Sequence, residues 1–212
     1  MNILIFAGGN IRDYSFCNSY VNQADCIICA DKGMEHAKNM NLLPDLIVGD
    51  FDSASEEAIA FYKNKSVPFK TFPTEKDKTD TELALEYAIH KGAKQIWIVG
   101  GIGSRMDHTL GNIHLLYLSL KSKIPATLID AHNQIHLIDD RITIVGNKND
   151  YVSLIPFSLE VTGVSTKGLY YPLENAILRG GSSYGVSNAI TDSKAFITIK
   201  SGLLLVIKSK EL

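Results

Sequence analysis

The chain has 212 residues, of which 45% are hydrophobic and 21% charged, and a formal net charge of −2. That length can hold a sizeable core in one large or two small domains, and the composition is that of an ordinary globular protein. The near-neutral charge gives no electrostatic footprint for nucleic acid, and no apolar run approaches the roughly 20 residues needed to span a membrane. Met1-Asn2-Ile3-Leu4-Ile5-Phe6-Ala7-Gly8-Gly9 lacks the basic region and the apolar length of a signal peptide. Three cysteines cannot build a disulfide framework, so a reducing, cytoplasmic location is expected.

In chain order, the first 130 residues alternate short β-rich apolar runs with amphipathic helical stretches, the pattern of a parallel sheet covered by helices. A strand over 3–6 is followed by a second over 26–30 and a helix over 32–40. Cys26 and Cys29 have the spacing of a redox or half-zinc motif, but residues three apart on a strand face opposite sides, so both read as packing residues. A buried strand over 46–48 runs into Gly49-Asp50-Phe51-Asp52-Ser53, and a helix over 55–63 leads to a strand over 69–72. Thr79 and Glu82 have capping-box spacing, which starts a helix at Asp80 that runs over 80–91. A strand over 95–99, the turn Gly100-Gly101-Ile102-Gly103, a helix over 108–122 and a strand over 127–129 complete this half. Trp97 falls within a strand and reads as core. Of the six histidines, only His108 lies inside a motif.

The character changes after Asp130. Short segments over 141–145, 151–155, 160–164, 195–199 and 203–207 are separated by Gly, Asn, Asp and Pro, which predicts an all-β sandwich or small barrel. Ser201-Gly202 reads as a hairpin turn between the last two. The expected organisation is α/β: a doubly wound, mostly parallel domain over 1–131, then an all-β sandwich over 132–212.

Two carboxylates one residue apart, Asp50 and Asp52, stand where a buried strand ends, and parallel strands share one carboxyl edge at which ligands bind. Unpaired acids so close repel each other, and a hard cation such as Mg²⁺, which usually accompanies phosphates, offsets that repulsion. Asp31, Asp77, Asp80 and Asp107 also follow strands or lie between a strand and a helix, so segments distant in sequence converge on one cleft. Read singly, each has an ordinary alternative: Asp31 as a helix cap, Asp80 as a first-turn acid and the Asp50 segment as a solvated turn. Gly100-Gly101-Ile102-Gly103 can turn backbone N–H groups toward a phosphate, and Arg105 adds a planar cationic donor suited to phosphate oxygens.

Laid end to end, these segments resemble the thiamine pyrophosphokinase family. The matching elements are Ala30-Asp31 with Gly33, Pro44-Asp45, Gly49-Asp50-Phe51-Asp52-Ser53, Glu75-Lys76-Asp77-Lys78-Thr79-Asp80, Gly100-Gly101-Ile102-Gly103-Ser104-Arg105-Met106-Asp107-His108 and Gly185-Val186-Ser187-Asn188. They span nearly the whole chain in the family's order. The resemblance implies transfer of the pyrophosphoryl group of ATP to the thiamine hydroxyl, in a cytoplasmic homodimer with active sites at the subunit interface and no nucleic-acid or membrane partner. It makes Asp50, Asp52 and Asp80 the acids at a Mg²⁺ and pyrophosphate site. Asp31, Lys32, Asp77, Gly101, Arg105, Asp107 and His108 would serve the nucleotide and its phosphates, while Ser187 and Asn188 would line a thiamine pocket, with Tyr184 as the aromatic against the vitamin. Two positions depart from the family pattern: Lys32 replaces a glycine, and Ala189 stands where bacterial relatives carry Glu.

In such a transfer the hydroxyl attacks the β-phosphorus and AMP leaves, so the protein must hold the reactants in line and neutralise phosphate charge. Asp80 is open to either metal binding or proton acceptance. The same acids would also suit a metal-dependent nucleotide hydrolase, and the same fold a non-catalytic nucleotide- or thiamine-binding regulator.

Overall fold

The buried apolar runs of the first half become strands covered on both faces. The structure is a computed structural model describing residues 1–72 and 77–210, and it comprises two compact units, Met1–Ala131 and His132–Leu212. Within the first unit the elements are β1 (Asn2–Phe6), α1 (Cys17–Val21), β2 (Cys26–Ala30), α2 (Gly33–Asn39), β3 (Leu46–Gly49), α3 (Glu56–Asn64), β4 (Phe69–Thr71), α4 (Asp80–His90), β5 (Gln95–Val99), α5 (Met106–Lys121) and β6 (Ala126–Ile129). Their strands pair in parallel in the order β6-β5-β1-β2-β3-β4. The chain therefore winds outward from β1 in one direction and then returns to its other side at β5. The gap between the carboxyl ends of β1 and β5 is the topological switch point, where an open α/β sheet offers a crevice.

Ile3, Leu4, Ile5 and Phe6 are fully buried, as a central parallel strand requires. The helices cap as their sequences direct: Ser55 Oγ accepts from the Ala58 N–H at 3.3 Å, and Thr79 Oγ1 accepts from the Glu82 N–H at 3.2 Å. Helix α5 begins two residues before its predicted start, and the short α1 has no counterpart in the sequence reading. Cys26 and Cys29 are free and buried, and burial pushes the Cys26 thiol up to about 11, so neither offers a thiolate at neutral pH. Trp97 packs tilted against Tyr20 at the edge of the core, with ring centroids 5.4 Å apart. Among the described residues no helix is long and apolar enough to cross a membrane.

In the second unit, β7 (Asn133–Ile138), β8 (Arg141–Val145), β9 (Tyr151–Pro156), β10 (Glu160–Lys167), β11 (Ala176–Arg179), β12 (Asn188–Ala189), β13 (Lys194–Thr198) and β14 (Leu204–Ser209) pair antiparallel. One sheet runs β12-β9-β14-β7 and the other β11-β10-β13-β8. Val152, Leu154, Leu204 and Val206 of the first meet Val161, Val164, Ala195 and Ile197 of the second in one core. This is a sandwich, and it corrects the reading of Ser201-Gly202 as a hairpin turn. Strand β13 pairs with β8 and β10, whereas β14 pairs with β7 and β9, so the Ser201-Gly202 segment carries the chain from one sheet to the other. Gly202, at φ +94°, supplies the left-handed backbone this crossing needs.

Candidate active site

Strand β2 ends at Ala30, and Asp31 turns out of it at φ +45° while its N–H still bonds the Val48 carbonyl of β3 at 2.8 Å. Strand β3 ends at Gly49, and Phe51, at φ +67°, packs edge-on against Phe69 with centroids 5.2 Å apart. The aromatic between the two acids thus anchors the turn in the core and leaves Asp50 and Asp52 beside Asp31. Oxygens of these three carboxylates lie within 4.8 Å of one another.

Their environments differ. Asp31 is 8% exposed, Asp50 is half-buried, and Asp52 is exposed. Burial pushes the Asp31 carboxyl up to about 6; a hydrogen bond from the Lys32 backbone opposes this, while the charges of Asp80, Asp50 and Asp52 add to it. Asp31 Oδ1 is buried with no hydrogen-bond partner. An orphaned carboxylate oxygen inside a cluster of hard oxygen donors fits a divalent cation of the Mg²⁺ type.

The acids form one wall of a cleft of about 610 Å³. Gly8, Gly9 and Asn10 after β1, Gly100, Gly101, Gly103, Ser104 and Arg105 after β5, the first residues of α4 and one face of α5 form the rest. This is the crevice expected at the switch point. The two glycine loops touch through backbone, the Gly9 N–H donating to the Gly100 carbonyl at 2.9 Å, and a Cβ on Gly9 would come within 2.4 Å of that oxygen. Gly33 is equally constrained, since a Cβ there would meet the Phe6 carbonyl oxygen at 2.0 Å. Lys32, by contrast, is exposed at the α2 N-cap and lines the cleft, so its side chain meets no steric limit of this kind.

Of the acids singled out in the sequence, Asp80 lines the cleft but stands outside the three-carboxylate group, and Asp31 takes the third place. Gly101, Arg105 and His108 also line it. Asp107 does not; its carboxylate grips Arg105 in two contacts, Oδ2 to Nη2 at 2.5 Å and Oδ1 to Nε at 3.2 Å. The Arg105 guanidinium holds the Asp107 carboxyl well below the usual range, at about 2. Asp77 is exposed and outside the cleft lining, while Glu75 and Lys76 of the same motif lie outside the described residues. Asp45 serves the opposite edge of the sheet, its Oδ2 accepting from the Ile27 N–H at 2.8 Å.

In the second unit, Ser187 sits at φ +60° with its N–H donating to Ser153 Oγ at 3.0 Å. The Asn188 side chain is engaged on both ends with one peptide segment: Nδ2 donates to the Tyr171 carbonyl at 2.7 Å, and Oδ1 accepts from the Tyr171 N–H at 3.0 Å. It therefore fixes the exposed pair Tyr170 and Tyr171, whose rings meet edge-on at 4.8 Å. Tyr184 is exposed as well.

Sequence reasoning passes over the polar groups beneath the glycine loops. Asn112 Nδ2 donates to the Gly101 carbonyl at 2.8 Å, and Thr109 Oγ1 accepts from the Gly103 N–H at 3.1 Å. Their i, i+3 spacing directly after a glycine-rich turn is the signal available for them. His36 holds the other loop, and nothing in its sequence neighbourhood announces that contact.

Comparison with known proteins places these features in context. The model of the thiamin pyrophosphokinase catalytic domain matches residues 17–128, and that of the thiamin pyrophosphokinase vitamin B1 binding domain matches residues 134–204. Thiamine pyrophosphokinase of Bacillus subtilis (strain 168) is 33% identical over 211 residues, which cover 99% of each protein. The crystal structure of the Bacillus subtilis thiamine pyrophosphokinase aligns over 100% of both chains with a TM-score of 0.89. That of the thiamin pyrophosphokinase from Geobacillus thermodenitrificans aligns over 100% of this chain and 98% of its own, with a TM-score of 0.86 and 29% identity.

Proposed function

The chain belongs to the thiamine pyrophosphokinase family, and we propose that the first-unit cleft is where ATP yields its pyrophosphoryl group to the thiamine hydroxyl. The observation that supports this most is the three-carboxylate group of Asp31, Asp50 and Asp52 facing two glycine loops across the switch point. Asp31, Asp50 and Asp52 would hold Mg²⁺, which when bound supplies the charge neutralisation that lets phosphates approach carboxylates. The glycine loops let backbone come close to the phosphates, and Lys32 and His108 border the same cleft. Arg105, which lines the cleft, would supply a guanidinium to phosphate oxygens, with Asp107 as its carboxylate partner.

The thiamine oxygen forms a bond to the β-phosphorus of ATP, the bond from that phosphorus to the bridging oxygen breaks, and AMP leaves with that oxygen. Asp80 lies in the cleft but outside the cation group, and it accepts the hydroxyl proton. In the second unit, Ser187 and Asn188, with Tyr184 as the aromatic, bind the vitamin. Each site joins the first unit of one chain to the second unit of its partner in a cytoplasmic homodimer. Subunit mixing tests this: verified mixed dimers of Asp50→Asn with Asn188→Ala chains should recover about half the parental rate from the one intact site. Only the average of the two mutant rates would refute the shared site.

Purified protein given ATP, Mg²⁺ and thiamine tests the reaction. The expected result is AMP and thiamine diphosphate formed in equal amounts and only when thiamine is present. Thiamine-independent phosphate release would instead indicate a hydrolase, and nucleotide binding without turnover a regulator.

A further inference from the structure

Helix α2 buries a histidine: His36 is 8% exposed, and Gly33, Met34 and Ala37 of the same helix are buried with it. Burying an imidazole is costly unless both ring nitrogens are satisfied. Here they are. Nε2 lies 2.7 Å from the Gly9 carbonyl oxygen, and Nδ1 lies 2.9 Å from the Tyr14 hydroxyl. A carbonyl can only accept, so Nε2 carries the proton. In the neutral ring Nδ1 then accepts from Tyr14, whose oxygen in turn accepts from Asn39 Nδ2 at 3.0 Å. Burial holds the imidazole below its ordinary range, which favours this neutral form.

The consequence falls on one peptide plane. The Gly9 carbonyl points at His36, which is not part of the cleft wall, whereas Gly9 and Asn10 are. In a trans peptide the N–H points opposite to the carbonyl, so the Asn10 N–H points away from His36, and Asn10 lines the cleft. The preceding plane is fixed too, by the Gly9 N–H bond to the Gly100 carbonyl. We propose that His36 is a positioning residue for the nucleotide: through Gly9 it holds the Asn10 N–H as a preorganised donor to a phosphate oxygen. The proposal rests on the nucleotide reading of the cleft given above. A preoriented N–H contributes because no reorganisation is needed when the anion arrives.

The test is calorimetric binding of α,β-methylene-ATP and of adenosine, both with Mg²⁺, to parent, His36→Met, His36→Gln and Tyr14→Phe proteins. Met fills the space without a donor. His36→Met should weaken the analogue about tenfold, the size of one hydrogen bond to a charged group, and leave adenosine unchanged. Gln retains an N–H for the Gly9 carbonyl and should restore affinity to within about threefold of the parent on the same scale. Equal weakening of analogue and adenosine, or no weakening in a folded His36→Met protein, overturns the proposal. Should that variant fail to fold, Tyr14→Phe carries the test, with about threefold loss for the analogue expected from the disoriented ring and no loss overturning the proposal. A parent that binds no analogue overturns the nucleotide reading and this proposal with it. A binding parent whose variants bind equally well overturns this proposal alone.

Discussion

The two units handle polar side chains in different ways. In the first, of the carboxylates that face the cleft, Asp31 has a buried Oδ1 without a partner and Asp52 is held locally, Ser53 Oγ donating to its Oδ1 at 3.0 Å. The groups that hydrogen-bond strongly lie beneath: Asn112, Thr109 and His36 each bond a loop backbone group. In the second, Asn188, proposed above to meet the vitamin, is itself the clamp, with its amide spent on Tyr171. A parallel sheet brings strand ends from distant sequence to one edge, so reactive groups can be displayed while others support them. In a sandwich the corresponding segment is a turn beside a two-residue strand, and one side chain has to shape the loop. The first unit therefore separates display from support, while the second combines them.

The largest expected effect lies on the display side. Asp50→Asn or Asp52→Asn removes charge from the three-carboxylate group while Phe51 keeps the turn anchored. Thiamine-dependent AMP formation should fall by at least about 10² to 10³-fold, the cost of one preorganised electrostatic contact. The melting temperature without metal should not fall, because relieving repulsion among acids offsets any loss of packing. Near-normal turnover in Asp50→Asn would break the comparison, since the displayed acids would then have no role in the reaction.

A subtler effect separates Asp31 from the other two. Burial pushes its folded-state carboxyl up to about 6, from an ordinary value of 3.8. Below 3.8 both the folded and unfolded forms are protonated and stability is full. Between 3.8 and about 6 the folded form keeps its proton longer, so stability falls as pH rises, and above 6 the loss is complete. At pH 7 without metal, Asp31→Asn should therefore be more stable than the parent by about 1 to 3 kcal/mol, with the difference vanishing near pH 4. Denaturant melts at the two pH values check this. Adding Mg²⁺ at pH 7 should raise the midpoint of the parent more than that of the variant, because binding to the folded form alone adds stability. A parent whose metal-free stability rises from pH 4 to 7 relative to Asp31→Asn would show that Asp31 is not strained.

Much of the first unit is legible in the sequence for the reason that makes it a good scaffold. Strands over 26–30 and 95–99 coincide with β2 and β5, because a strand covered on both faces is a continuous apolar run. The acids are legible as polar residues placed where such runs stop. Which three share a cluster is not, since it depends on the left-handed turns at Asp31 and Phe51. The support residues are hidden more deeply: His36, Thr109 and Asn112 act on backbone groups of residues 6 to 27 positions away, and only the fold brings those groups near. In the second unit, β7 is obscured by Gln134 and His136 within its alternation, while β11 and β12 are short strands defined by their neighbours. The turn at Ser201-Gly202 has local hairpin chemistry, yet packing of the two sheets sends its flanking strands apart.

The smallest effect sharpens the comparison most, because it separates a contact from a clamp. If Asn188 only met thiamine, Asn188→Ala would remove one hydrogen bond, worth roughly 0.5 to 1.5 kcal/mol. As a clamp it also releases the Tyr171 N–H and carbonyl, whose bonds to the amide are 3.0 and 2.7 Å. Both groups lie on an exposed segment, so water replaces much of what is lost and global stability should change by less than about 1 kcal/mol. The thiamine KM should rise about tenfold with the ATP KM unchanged, as the Tyr170 and Tyr171 segment loosens. Asn188→Asp tells the two roles apart: its carboxylate still accepts from the Tyr171 N–H but cannot donate to the Tyr171 carbonyl, so half of the clamp survives. An intermediate KM for Asp, together with faster amide exchange at Tyr171 in the order parent, Asp, Ala, supports the clamp. A KM that rises while exchange at Tyr171 stays at the parental rate would make Asn188 a direct contact, and the second unit would then divide display from support as the first does.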